Sequence, residues 1–161
     1  MKCFVVYYTR TGKTKFVAET VAAELGADLE EIVDLKKREG KLGWIMGGKD
    51  ASQKKLTDLA PLKRTPADYD LVVVGTPIWA WAPTPAFRTY INQNNLADKK
   101  VALFYTFDSD PKQASQKIHE ILPGVNVVGE LPLKDPSKNK EDTQNKIKVW
   151  CSALKEAASA V

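Results

Sequence analysis

The stretch Leu71-Val72-Val73-Val74-Gly75 sets four large apolar residues side by side, three of them β-branched, in a chain of 161 residues. A strand with one face in water alternates apolar and polar positions. An unbroken run needs cover on both faces, the condition met in a parallel sheet layered between helices. Cys3–Tyr8, Val101–Tyr105 and Val125–Val128 are further short apolar runs, and Leu29–Leu35 is a weaker one. Helical periodicity fills the intervals. Val17, Val21 and Leu25 recur at four-residue spacing with Gly26 set to end the helix, and a second helix is expected within residues 39–56. Phe87, Tyr90 and Ile91 follow Pro85 as a short third. Ala114, Ile118, Ile121 and Leu122 form a fourth apolar face, with Asp110 as expected N-cap and Pro111 as first helical residue. Ile147, Trp150, Cys151, Leu154 and Ala158 form the last. Strand then helix, five times over, implies right-handed crossovers and a doubly wound sheet. The length suffices for one core and not two, so one domain over residues 1–161 is expected.

Composition narrows the function. The chain is 43% hydrophobic and 27% charged, and no apolar stretch reaches membrane-spanning length. The apolar start Cys3-Phe4-Val5-Val6 meets Thr9 and Arg10 too soon to serve as a signal-peptide core, which makes the cytoplasm the expected location. Cys3 and Cys151 lack metal or redox spacing and read as small buried apolar residues, so no metal site is expected. The net charge of +4 is unevenly spread. Residues 36–64 hold Lys36, Lys37, Arg38, Lys41, Lys49, Lys54, Lys55, Lys63 and Arg64 against only Glu39, Asp50 and Asp58. The bland reading is a solvated face. The functional one is an electropositive rim for an acidic partner or for the phosphate of NAD(P)H, with Trp44 as a stacking surface. These bases are not interleaved with several aromatics along one face, so nucleic acid is not an expected partner.

Residues 7–16 read YYTRTGKTKF, and Gly12-Lys13-Thr14 has the form of the end of an ATP-binding loop. Such a loop needs a glycine five positions earlier, where Tyr7 stands. A dinucleotide fingerprint needs three glycines and finds one; a phosphorylation receiver needs acidic residues where Tyr8, Thr9 and Thr76 stand. What remains is a strand, a hydroxyl-rich turn with one glycine, and a helix start. Helix-start amides point outward unpaired in a partial positive field, which suits a single phosphate monoester. The same residues also suit a plain helix start in which Thr11 is the cap and the other threonines are solvated.

In these residues the chain resembles the flavodoxin family, whose phosphate loop has the form S/T-x-T-G-x-T; Thr9-Arg10-Thr11-Gly12-Lys13-Thr14 fits every defined position. Gly75-Thr76-Pro77-Ile78-Trp79-Ala80-Trp81-Ala82-Pro83 follows the third strand, where flavodoxin-like proteins carry a G-x-P-I-aromatic loop against the isoalloxazine ring. Gly43-Trp44-Ile45-Met46-Gly47-Gly48 is similar to the second-helix region of bacterial and archaeal flavodoxin-like oxidoreductases. The resemblance extends from Met1 to the C-terminus. It implies a flavodoxin-like doubly wound sheet of five parallel strands in the order 2-1-3-4-5, with helices on both faces and FMN as cofactor where the first and third strands part. It assigns the phosphate to Thr9, Arg10, Thr11, Gly12, Lys13 and Thr14, and the ring to Thr76, Pro77, Ile78, Trp79, Ala80 and Trp81 on one side, with Thr106, Phe107 and Asp108 on the other.

Finer expectations follow. In an extended loop Trp79 and Trp81 would point the same way, with Trp79 the first contact of the flavin. Alanine at positions 80 and 82 makes positive φ costly, which predicts weak stabilisation of the one-electron-reduced flavin. Asp108, if near the flavin pyrimidine, would oppose negative charge on the reduced ring and lower its second reduction potential. Arg10 and Lys13 either supplement the phosphate field or point into solvent. His119, the only histidine, reads as a solvated surface residue, and no side chain is expected to act as a catalytic group, because the ring carries the electrons. The expected function is electron transfer, as a redox carrier or small flavoprotein oxidoreductase, with a redox protein or a small acceptor such as a quinone as partner. The alternatives are an NAD(P)H-dependent FMN or quinone reductase, and a binding module without redox activity, against which the intact phosphate loop argues.

Overall fold

Parallel pairing, which the unbroken apolar runs require, extends across the sheet. The computed structural model describes residues 1–160. Its strands are β1 (Cys3–Tyr7), β2 (Asp28–Glu31), β3 (Leu71–Trp79), β4 (Ala82–Pro83), β5 (Lys100–Phe107) and β6 (Asn126–Lys134). The helices are α1 (Lys13–Leu25), α2 (Gly40–Ser52), α3 (Pro85–Gln93), α4 (Ala114–Glu120) and α5 (Lys140–Ser159). Strand order is β2-β1-β3-β5-β6, all parallel, which is the expected 2-1-3-4-5 when β4 is set aside. The two-residue β4 folds back antiparallel on the end of β3.

β3 is the axis of the core, and Leu71, Val72, Val73 and Val74 are all fully buried. Val72 and Val74 face the layer that includes Ala51 of α2, Phe87 and Tyr90 of α3, and Ile118 of α4. Leu71 and Val73 face Val17, Ala18 and Val21 of α1 together with Ile147, Cys151 and Leu154 of α5. Each such side chain contributes roughly 1.5–3 kcal/mol by leaving water. Gly75 pairs with Phe104 of β5, and a Cβ at residue 75 would overlap the Phe104 ring, so only glycine lets that ring lie against the strand.

Element ends depart from the sequence expectation for local reasons. β3 runs on from Gly75 to Trp79 because Thr76 and Pro77 still pair with Tyr105 and Thr106. β2 stops at Glu31 instead of Leu35, although Ile32 still donates to the Tyr7 carbonyl at 2.7 Å. β6 reaches Lys134, well past Val128. α4 starts at Ala114 with Gln113 as N-cap, so Asp110 is not its cap; the Asp110 carboxylate accepts the Lys112 amide at 2.8 Å in the turn before it. Thr84 and Asn139 do cap α3 and α5, accepting the amides of Phe87 and Asp142. Cys3 and Cys151 are both buried, and burial pushes the Cys151 thiol up to about 12. Among the described residues, no helix is long and apolar enough to cross a membrane.

Candidate functional site

The turn after β1 carries the first part of the site. Tyr8 donates its amide to the Gly75 carbonyl at 3.1 Å, holding the chain against β3 until the turn begins. The Thr9 hydroxyl accepts the Gly12 amide at 3.0 Å, and Gly12 sits at φ 94°, which glycine adopts without strain. α1 starts at Lys13 with Gly12 as N-cap, no side-chain cap and no acidic residue in its first turn. Thr11 is thus not the cap of this helix, and the first-turn amides of Lys13, Thr14 and Lys15 keep the open ends a helix start leaves. Thr14 is buried, its hydroxyl 2.9 Å from that of Thr106, which ties the start of α1 to β5. Above them Lys13 donates to Asp108 at 2.8 Å. That hydrogen bond holds the Asp108 carboxyl below the usual carboxylate range, against the opposite push of partial burial.

The end of β3 forms the second wall, and it differs from an extended loop. Ile78 pairs with Pro83 and Trp79 with Ala82, leaving Ala80-Trp81 as a two-residue hairpin turn. Both turn residues have positive φ, 47° and 60°, the pattern that type I′ hairpin turns demand and that Asn-Gly pairs usually supply. The two indoles consequently part company. Trp79 is 7% exposed, packed edge-on to Tyr8 with ring centroids 5.6 Å apart, and the Arg10 guanidinium lies 4.3 Å from its ring centre. Trp81, at the tip, is 46% exposed and carries the Lys112 ammonium at 4.0 Å. The positive φ that alanine was expected to resist is already adopted at Ala80.

Behind Trp79 lies a buried ionic cluster. Arg38, 4% exposed, donates to Asp34 at 2.7 Å and to Asp50 at 3.0 Å, and its guanidinium sits 5.7 Å from the Trp79 ring. Lys36 also reaches Asp50 at 2.7 Å. The basic segment is therefore not solvated throughout: Arg38 is drawn inside by two carboxylates. Arg10, by contrast, has a buried Nη1 with no hydrogen-bond partner, and burial pushes its guanidinium pKa down.

These parts enclose a cavity of about 720 Å³. Arg10, Thr11, Lys13 and Thr14 line it from the first turn, Pro77, Ile78, Trp79, Ala80 and Trp81 from the hairpin, and Thr106, Phe107 and Asp108 from the end of β5. Thr9 and Gly12 shape the turn without lining the cavity. Thr76 is fully buried behind the wall, its hydroxyl donating to the Pro77 carbonyl at 2.8 Å and 3.0 Å from that of Thr84. His119 lies away from the cavity and meets Glu130 at 3.0 Å, a carboxylate that also accepts from the Ser115 hydroxyl.

The model of the flavodoxin family matches residues 2–154. The chain belongs to the flavodoxin family. Among solved structures it is similar to a candidate flavoprotein from Bacteroides uniformis, with 27% identity and a TM-score of 0.79 over 91% of this chain and 97% of that one. A flavoprotein from Lactobacillus acidophilus solved in complex with FMN shares the fold at 22% identity, with a TM-score of 0.71 over 87% and 97% of the two chains. Flavodoxin 2 from Bacillus cereus shares it at 21% identity and a TM-score of 0.61 over 97% and 99%. No curated protein matches the chain.

Within this flavodoxin-family site, α2 supplies a wall that the two loop motifs do not contain. Ile45, Gly48, Lys49 and Ser52 line the cavity beside Trp44, as do Ser109 and Asp110 beyond β5. Gly47 packs its bare backbone on Trp79, since a Cβ there would stand 3.0 Å from the ring. The available signal was the Gly43–Gly48 stretch, whose glycines at 43, 47 and 48 mark a helix pressed close to a neighbour.

Proposed function

We propose that this flavodoxin-family chain binds FMN in the cavity between α1, α2 and the Ala80-Trp81 turn, and serves electron transfer as a carrier or small oxidoreductase. The observation that carries the reading is the start of α1. Its unpaired amides stand beside Thr11 at a cavity whose other walls include Trp44, Trp79, Trp81 and Phe107, a donor set suited to one phosphate attached to a flat apolar ring. The residues fit the group: Gly12 has open space where a Cβ would stand, and Trp81 and Phe107 line the cavity. Bound FMN would supply the electron-accepting ring.

The chain's own residues do the rest. The first-turn amides and Thr11 bind the phosphate. Lys13 stands beside the turn with its charge offset by Asp108. Trp79, wedged between Tyr8, Arg10 and α2, is a rigid backing wall, and the exposed indole is that of Trp81. α2 closes the side of the cavity and limits water.

The test is a titration with FMN and with riboflavin, followed by quenching of flavin fluorescence. FMN is expected to bind about a hundredfold tighter or more, the worth of two charge-assisted hydrogen bonds to the phosphate. Equal affinities would refute a phosphate site at α1. Adding NAD(P)H to the loaded protein separates a direct reductase, in which the flavin bleaches, from a carrier, in which it does not.

A further inference from the structure

α2 turns apolar side chains toward water. Leu42 is 73% exposed, Trp44 66% and Ile45 58%, and Trp81 adds an exposed indole across the cavity mouth. Trp44, Ile45 and Trp81 line that mouth, so patch and cavity are one continuous surface. Contiguous exposed apolar area of this kind marks an interaction site more often than a solvated face.

Unpaired basic side chains outnumber unpaired acidic ones around it. Lys36, Arg38 and Lys55 face Asp50, Arg38 also faces Asp34, and Arg64 faces Asp28 and Glu30. Lys37, Lys41, Lys49 and Lys54 form no ion pair among the described residues. They belong to α2 or its flanks, and Lys112 stands over Trp81. The nearby acids do not cancel them. Asp50 is buried under its own cations and Asp108 is paired with Lys13, which among the described residues leaves Glu39, Asp58 and Asp110 exposed without an ion pair, three charges against the five of Lys37, Lys41, Lys49, Lys54 and Lys112.

We propose that this face docks an acidic protein whose apolar centre covers Leu42, Trp44 and Ile45 and whose carboxylate rim meets Lys37, Lys41, Lys49 and Lys54. The inference rests on the FMN reading only in making the cavity the place where cofactor and docked protein meet. Two other occupants fit less well. A second copy of the chain would set these uncompensated lysines against themselves in a two-fold contact. A small planar acceptor in the cavity would leave Leu42, which is not part of the lining, in water.

The test is a titration of the 15N-labelled, FMN-loaded protein at low salt, once with an acidic [2Fe–2S] ferredoxin and once with a basic c-type cytochrome, read as amide shifts. With the ferredoxin, shifts are expected along α2 and at Trp81 and Lys112, weakening about tenfold or more on raising salt to about 0.5 M. Lys37→Glu with Lys41→Glu should abolish them. Leu42→Ser should weaken them about tenfold while leaving unchanged the rate at which the dithionite-reduced, FMN-loaded protein passes its electrons to menadione. Absent shifts, shifts centred on α5, or stronger binding of the cytochrome would overturn the proposal, as would shifts on simple concentration of the chain, which identify a dimer. If the chain retains no FMN, the same titration on the flavin-free protein reads the face alone: shifts on α2 then uphold docking while the cofactor reading falls, and their absence sinks docking too.

Discussion

Arg10 belongs to the phosphate loop by sequence and to an indole in space. Its guanidinium lies on Trp79, yet its Nη1 is buried with no acceptor, whereas Arg38 next to it is paired with two carboxylates. A buried donor left unpaired costs about 1–3 kcal/mol, and a charged one more, so stability alone does not account for Arg10. Arg10→Met keeps the packing stem and removes the donor. Without flavin it should be as stable as the parent or about 1 kcal/mol more so in urea denaturation. It should bind FMN about tenfold more weakly, and riboflavin more weakly by the same factor if the donor serves the ring. Loss for FMN alone would return Arg10 to the phosphate. Thr9 and Gly12 were legible as loop residues because their roles are local, but the direction in which Arg10 turns depends on Trp79 and α2, which sequence spacing does not bring together.

At the scale of elements, the hairpin and α2 are the two departures from expectation. A two-residue turn usually announces itself with Asn or Gly, and Ala80-Trp81 has neither, so the sequence reads as extended and the split between a buried Trp79 and an exposed Trp81 is not legible in it. Each non-glycine residue held at positive φ costs roughly 1–2 kcal/mol. Ala80→Gly should relieve it, and after the added freedom of the unfolded chain the variant is expected to gain about 0.5–1 kcal/mol in urea denaturation. No gain would mean that the turn is unstrained at Ala80. α2 is anchored to the connection between β2 and α2 through Asp50, whose carboxyl lies below its ordinary value of 3.8, first through the hydrogen bond from Lys36 and then through Arg38, with burial opposing both. A carboxyl depressed in the folded state contributes its stability in full above its ordinary pKa and loses it as pH falls through the lower folded value. Stability should thus decline below about pH 4. Asp50→Asn should flatten that decline and cost about 3 kcal/mol at pH 7, since it strips a buried partner from Arg38. An unchanged acid limb in denaturation series at pH 3–7 would show that Asp50 is not the group responsible.

The molecule as a whole was the most readable level. The apolar runs buried on both faces in β1, β3 and β5 leave few topologies open, and the order β2-β1-β3-β5-β6 is the one the strand–helix alternation and the family resemblance imply together. Cavity walls from α1, the hairpin and β5 follow from that order because all three leave the same edge of the sheet. The wall from α2 does not, because its contribution is the close packing of Gly47 on Trp79, a property of the folded pair. Ligand occupancy should be felt across this whole assembly. At a free FMN concentration a hundredfold above its Kd, the linkage is worth about 2.7 kcal/mol, which for a chain of this length raises the Tm by about 5–10 °C. A melting temperature indifferent to FMN would refute loading of the folded chain.

The uncapped beginning of α1 makes the chain a gauge of its own occupancy. With nothing to accept their hydrogens, the amides of Lys13, Thr14 and Lys15 should trade for deuterium quickly in the vacant protein, and the first helical turn should fray ahead of the sheet it abuts. An oxyanion seated there would slow that trade at these positions before any change is visible in colour, so a brief labelling pulse would count filled against vacant molecules directly.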